Sequence, residues 1–187
     1  MFFNMTMLHQ LLLIATTLFV THAIALAQDQ GERHTDASNG WTIRHPSDWQ
    51  KVHGFDPKVT KFEAPADEEI DVFRESFTVG VYPQDGVPTL TQATEVVKGL
   101  MAKVGAELIE EEQANVRLGK QPAVRLIWKF NIGGLDLRMA QLLCVVDTNV
   151  YLATLTVEAS KIRQFEGIGH EMFNSFAFLN KAGQPRF

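Results

Sequence analysis

The stretch PAVRLIWKFNIGGLDLRMAQLLCVVDTNVYLATLTVE, residues 122–158, decides the fold. Pro122 to Asn131 sets Val124, Leu126, Trp128 and Phe130 against Arg125, Ile127 and Lys129. This period of two puts successive side chains on opposite faces of a strand. Ile132-Gly133-Gly134 is a turn signal. Leu135 to Val146 alternates again, with Leu135, Leu137, Met139, Gln141, Leu143 and Val145 on one side. Asp147-Thr148-Asn149 makes a second turn. Tyr151, Ala153, Leu155 and Val157 then alternate with Leu152, Thr154, Thr156 and Glu158. Three consecutive strands on short turns form a meander, and a helix follows directly.

Upstream of the meander, Thr89 and Gln92 have capping-box spacing, in which two side chains satisfy orphaned backbone N–H groups at a helix start. Leu90, Ala93, Val97, Leu100, Met101 and Val104 then recur at three- and four-residue intervals, the stripe of an amphipathic helix that stops at Gly105. Downstream, Ser160 is a candidate N-cap. Ile162, Phe165, Gly169, Met172, Phe173 and Phe176 form the buried stripe of a second helix. Phe176-Ala177-Phe178-Leu179 is too apolar to lie free in water. Short strands are read at Trp41–Pro46, Trp49–Phe55, Thr60–Ala64 and Phe73–Pro83, and another at Glu107–Leu118. The order of these elements predicts an α+β domain with a mainly antiparallel sheet. Both long helices are expected on one face and the N-terminal hairpin, around Trp49, on the other.

The chain has 187 residues with an ordinary balance of apolar and charged side chains, the size of one self-sufficient core. Its formal net charge is −5, and residues 1–27 contribute no charged side chain to it. A mildly acidic body argues against nonspecific nucleic-acid binding, which draws on Lys and Arg neutralising phosphates. Cys144 is the one cysteine, so an intramolecular disulfide is excluded, and its place in a strand reads as a small apolar core residue.

Residues 1–27 read as a signal peptide. Leu11 to Val20 is an apolar run of the right length, and Ala25-Leu26-Ala27 offers small residues where signal peptidase needs them, so cleavage is expected after Ala27. The alternative is a retained N-terminal anchor. Residues 28–40 are read as a flexible polar leader, 41–180 as a single domain and 181–187 as a C-terminal tail. The expected location is periplasmic or extracellular, with no integral membrane segment left after cleavage.

Ile43-Arg44-His45-Pro46-Ser47-Asp48-Trp49, a strand ending in Pro, a turn and then Trp, resembles the opening of PsbP-like domains. The resemblance extends through Glu75-Ser76-Phe77-Thr78-Val79-Gly80-Val81, the capped helix and Gly119-Lys120-Gln121-Pro122-Ala123. It ends with a late Tyr-containing strand before a C-terminal helix and Ser175-Phe176. It covers about residues 40–180. That family includes extrinsic photosystem II proteins and exported bacterial proteins of the DcrB type. The resemblance implies an α-β-α sandwich and an exported, mostly non-enzymatic accessory or binding role. It does not carry over a photosynthetic function.

Several clusters invite chemistry. His45, Asp48, His53 and Asp56 combine imidazole and carboxylate, as transition-metal sites do, but their spacing matches no ligand signature. Glu166 and His170 are one helical turn apart, where a helix-supporting contact is the simpler reading. Asp67-Glu68-Glu69 with Asp71 lacks the spacing of a calcium loop and reads as a solvated turn. Glu110-Glu111-Glu112 lies on a strand, so its carboxylates point to alternate faces and cannot converge on one ion. There is no Gly-x-Ser-x-Gly and no phosphate-binding Gly-Lys-Ser/Thr, and Gly167-Ile168-Gly169 sits inside a helix pattern. Trp41 and Trp49 read as core before partner surface.

No catalytic, cofactor-binding or metal-binding residue is therefore assigned, and no cofactor is expected. The expected function is that of an exported noncatalytic accessory or binding protein. Its partner would be an unknown protein at the cell envelope, docking on the sheet face around Arg125 and Arg138. The alternatives are a periplasmic small-molecule or metal-binding protein and, further off, a small secreted hydrolase using His45, His53 or His170 as base.

Overall fold

The computed structural model describes residues 31–53, 56–66, 73–180 and 182–185. In chain order the strands are β1 Glu32–Asp36, β2 Trp41–His45, β3 Gln50–His53, β4 Val59–Glu63 and β5 Ser76–Pro83. Helix α1, Leu90–Lys103, precedes β6 Glu107–Glu112, β7 Arg117–Leu118, β8 Gln121–Ile132, β9 Leu135–Val146 and β10 Asn149–Glu158. A single 3₁₀ turn leads into α2, Ile162–Ser175, and the short β11, Ala177–Phe178.

The meander forms as its alternation requires. β8 and β9 pair antiparallel from Ala123↔Cys144 to Ile132↔Leu135, and β9 and β10 pair from Asn149↔Val146 to Glu158↔Leu137. Gly133 and Gly134 both have positive φ, the conformation that a two-residue hairpin turn demands. The large sheet runs β3-β4-β5-β10-β9-β8-β6, with β7 pairing onto β8, and β1-β2-β11 make a separate small sheet. All these pairings are antiparallel.

The α+β class and the antiparallel sheet stand as the pattern predicts, but the layers differ. The helices lie on opposite faces. Val124, Leu126, Trp128, Leu143 and Val150 pack under α1 through its Leu90, Ala93, Val97 and Met101. Phe77, Val79, Leu142, Cys144, Ala153 and Leu155 face the other way, against Phe165, Met172 and Phe176 at α2 and Trp41, Ile43 and Trp49 of the N-terminal segment. The physical reason is that both faces of the meander carry large apolar residues, Leu143 and Val150 on one and Leu142, Cys144 and Leu155 on the other. Neither face can be left to water, and each large side chain withdrawn from it contributes about 1.5–3 kcal/mol. Leu152 pairs with Leu143 and Thr154 with Gln141, so both sit on the α1 face.

Other differences are local. Residues 32–36, read as leader, form β1. The turn that follows is tied by Asp36, which accepts from Ser38 Oγ (2.7 Å) and from Asn39 N (3.0 Å) and Nδ2 (2.8 Å). Thr89 and Gln92 do form the capping box. Ser160 does not cap α2: its hydroxyl reaches Glu158 instead, and Lys161 stands at the N-cap position. Lys161 pairs there with Glu75, a carboxylate only 1% exposed. Leu100 and Val104 fall outside the packed stripe of α1 and are exposed. At the C-terminus, Asn180 Oδ1 accepts from Ala182 N and Gln184 N, and Leu179 bridges Pro185. The expected signal peptide lies outside the described residues. Among those described, no helix is long and apolar enough to cross a membrane.

Candidate functional site

On its face of the sheet, α2 packs against β2 and β10. This leaves β8 and β9 open beside it, and the result is a groove of about 720 Å³. Ile127, Ala140, Leu142, Leu155 and Val157 floor it, with Ile162 and Phe173 on the helix side. Arg125, Arg138, Glu110, Glu112 and Glu166 bring charge to it, and His170 an imidazole. An apolar floor with a few placed polar groups is the usual form of a binding site.

Gly169 decides how close α2 comes. A Cβ at that position would stand 2.5 Å from Leu155 Cδ2. Ile109 reaches the groove because the β6–β8 register shifts between Leu108 and Glu110. A bulge of this kind re-aims a side chain.

The two arginines behave differently. Arg125 lies opposite Glu112 across β8–β6, and its Nη2 pairs with both Glu110 and Glu112, the latter at 2.7 Å. Its charge is spent on the rim, where half-exposed pairs of this kind contribute at most about 1 kcal/mol. Arg138 lies opposite Lys129 on one side and Val157 on the other. Lys129 is taken by Glu107 at 2.9 Å. Among the described residues no ion pair engages Arg138, which makes it the available cation of the groove. Glu166 and His170 both line the groove from exposed positions on α2, and no hydrogen bond joins them.

The other candidates fall elsewhere. His45 is buried, stacked on Phe62 at 4.5 Å with Nδ1 2.8 Å from Pro46 O, while Asp48 is exposed on the following turn. Asp56 accepts from Lys58 N. The side chain of His53 and residues 67–71 lie outside the described set. Among the described residues no three His, Cys, Asp or Glu side chains gather as a metal site. Glu111 turns away from Glu110 and Glu112 to pair with Lys98 of α1, as strand alternation dictates. Trp41 and Trp49 are both core residues. Cys144 is fully buried, and burial pushes its thiol up to about 12.

One buried polar feature under α1 has no forerunner in the sequence reading. Trp128 Nε1 donates to Gln141 Oε1 at 2.7 Å, and Gln141 Nε2 donates to Thr154 Oγ1 at 3.4 Å. The chain satisfies these groups internally, as burial requires, so they form part of the scaffold.

No protein-family model and no curated protein matches the sequence. Solved structures do match. The cyanobacterial PsbP of Synechocystis sp. PCC 6803 superposes with a TM-score of 0.57 at 18% identity, covering 82% of this chain and 95% of that one. LpqN of Mycobacterium tuberculosis, described as involved in cell envelope biogenesis, gives 0.53 at 9% identity, covering 82% and 88%. A protein of Bacteroides thetaiotaomicron gives 0.54 at 14% identity over 82% of this chain. The match spans half the length of that Bacteroides chain. At these identities the likeness concerns the fold. The chain has the fold of the PsbP-like proteins, an antiparallel sheet with a helix on each face.

Proposed function

We propose that the protein is an exported, noncatalytic accessory or binding protein of PsbP-like type, and that it docks on an envelope partner through the groove between α2 and the β8–β9 ladder. The carrying observation is Arg138, a cation with no ion pair among the described residues, beside an apolar floor on the face that α2 leaves open. The signal-like residues 1–27 support export. Among the proteins that share the fold, LpqN is described as involved in cell envelope biogenesis, which supports an envelope setting. Arg125, held by two glutamates, shapes the rim, and Arg138 meets the partner's negative charge.

The test is retention of envelope proteins by the purified protein and by Arg138→Glu, which leaves the Arg125 pairs untouched. Loss of one retained partner, with the circular dichroism spectrum unchanged, is the expected result. Equal retention by both proteins would remove the groove from consideration. The size of the groove favours a second reading, because about 720 Å³ also lies within the range of small-molecule pockets. A native mass spectrum that shows a stoichiometric adduct, lost in Arg138→Glu, would select it over a protein partner.

A further inference from the structure

Next to the groove, at the C-terminal end of α2, lies a second concavity of about 390 Å³, which shares Phe173 and Asn174 with it. Arg33, Arg44, Arg117 and Lys120 line it together with Asn174 and Ser175, and no acidic residue does. In a chain of net charge −5 this is a local reversal of sign. The end of α2 supplies roughly half a negative elementary charge, far less than Arg33, Arg117 and Lys120 carry together.

The fold brings these cations together at a cost. Arg33 and Arg44 are direct cross-strand partners on β1 and β2, an arrangement in which like charges repel. β2 is clamped to the helix end, because Arg44 N donates to Ser175 Oγ at 2.8 Å while the Ser175 hydroxyl reaches Met172 O at 2.9 Å. Leu118 pairs with Gln121, so Gly119 and Lys120 form a two-residue turn with φ of +52° and +71°. Lysine is disfavoured in that conformation. Gly119 is required there, since a Cβ would stand 2.9 Å from the Phe178 ring and 3.1 Å from that of Phe176. The turn is thus pressed against β11, and this sets Lys120 at the pocket. Among the described residues no ion pair engages Arg33, Arg117 or Lys120.

We propose that this pocket binds a phosphate group. Guanidinium forks match phosphate oxygens in pairs, and several converging cations suit a dianion or diphosphate better than a single carboxylate. The inference stands independently of the groove.

The test is a titration of the full chain, followed by backbone amide NMR, with inorganic phosphate and then inorganic pyrophosphate. Ionic strength is held constant with chloride. Saturable shifts are expected at Gly119, Lys120, Ser175 and Ala177. The Arg117→Gln/Lys120→Gly variant, whose glycine relaxes the turn, is expected to bind about tenfold or more weakly, and Lys58→Ala like the wild type. Co-sedimentation with phosphatidylglycerol vesicles, against phosphatidylcholine vesicles, assigns the source. Vesicle binding that needs Arg117 and Lys120 identifies a lipid headgroup, and pyrophosphate binding alone identifies a soluble phosphate. The proposal is overturned if neither probe saturates by about 10 mM, a very weak affinity, and vesicles do not bind. Binding that Lys58→Ala weakens as much as the double variant does would reveal only diffuse charge attraction and would also overturn it.

Discussion

Two glycines of α2 stand two residues apart, and alanine at each should change stability in opposite directions. Nothing lies within 4 Å of a Cβ placed at Gly167, which is exposed. Glycine in a helix interior is less favourable than alanine by about 0.8–1 kcal/mol, so Gly167→Ala should stabilise by roughly that amount. At Gly169 the same helical gain applies, but the new methyl would stand 2.5 Å from Leu155 Cδ2. An unstrained carbon–carbon contact is about 3.5–4.0 Å, so Leu155 or the helix must give by about 1 Å. Leu155 is only 6% exposed and packed in the main core. Overpacking of this kind costs about 1–3 kcal/mol. The net expectation is a loss of about 1 kcal/mol for Gly169→Ala, and so a gap of about 2 kcal/mol between the two variants. Urea denaturation with unchanged m-values measures both. Leu155→Val removes the clashing methyl and gives the control, because in that background Gly169→Ala should stabilise by about as much as Gly167→Ala does. If Gly169→Ala alone stabilises as much as Gly167→Ala, the close approach of α2 to β10, and with it this wall of the groove, is wrong.

The capping box gives a simpler expectation: Thr89→Ala should lower stability by about 1 kcal/mol, visible as a fall of about 2–4 °C in Tm, and an unchanged Tm would contradict it. His34 packs between Trp41 and Phe62, and desolvation, then Lys51, lowers its pKa below 6.5. Its stabilising contribution is therefore complete above the unfolded value and lost as pH falls through the folded one. In His34→Phe the fall in stability across that acidic window should flatten, and an unchanged slope would refute the assignment. Cys144, buried and raised to about 12, should not react with a thiol reagent at mildly alkaline pH until denaturant is added. Prompt modification of the native protein would show that the core is open there.

The meander, both helices and the capping box were legible because each rests on local periodicity or spacing. The distribution of the helices was not. Period two says that Val124 and Arg125 point apart, but it does not say which helix meets which face. That choice depends on register, through pairs such as Leu152↔Leu143 and Arg125↔Leu142. β1 was missed because its residues are polar: it is held by backbone pairing to β2 and by the Asp36 turn, neither of which leaves an apolar pattern. Of the groove, Arg125 and Arg138 were named from the mixed character of their sheet face. Their difference was invisible, since it depends on β6 placing Glu110 and Glu112 beside Arg125 and not beside Arg138. The basic pocket was hidden for the same reason: Arg33, Arg44, Arg117 and Lys120 are scattered in sequence and meet only in the fold.

The central claim is that the α2–β8–β9 groove is the binding face. Its most direct test is a photocrosslinking residue placed at Ile127, on the groove floor, and separately at Val87, which is 73% exposed on the loop before α1. Both proteins are irradiated in cell-envelope preparations. The groove account predicts one specific adduct from position 127, abolished by Arg138→Glu, and none from position 87. The same adducts from both positions, or a specific adduct from position 87 alone, would contradict it.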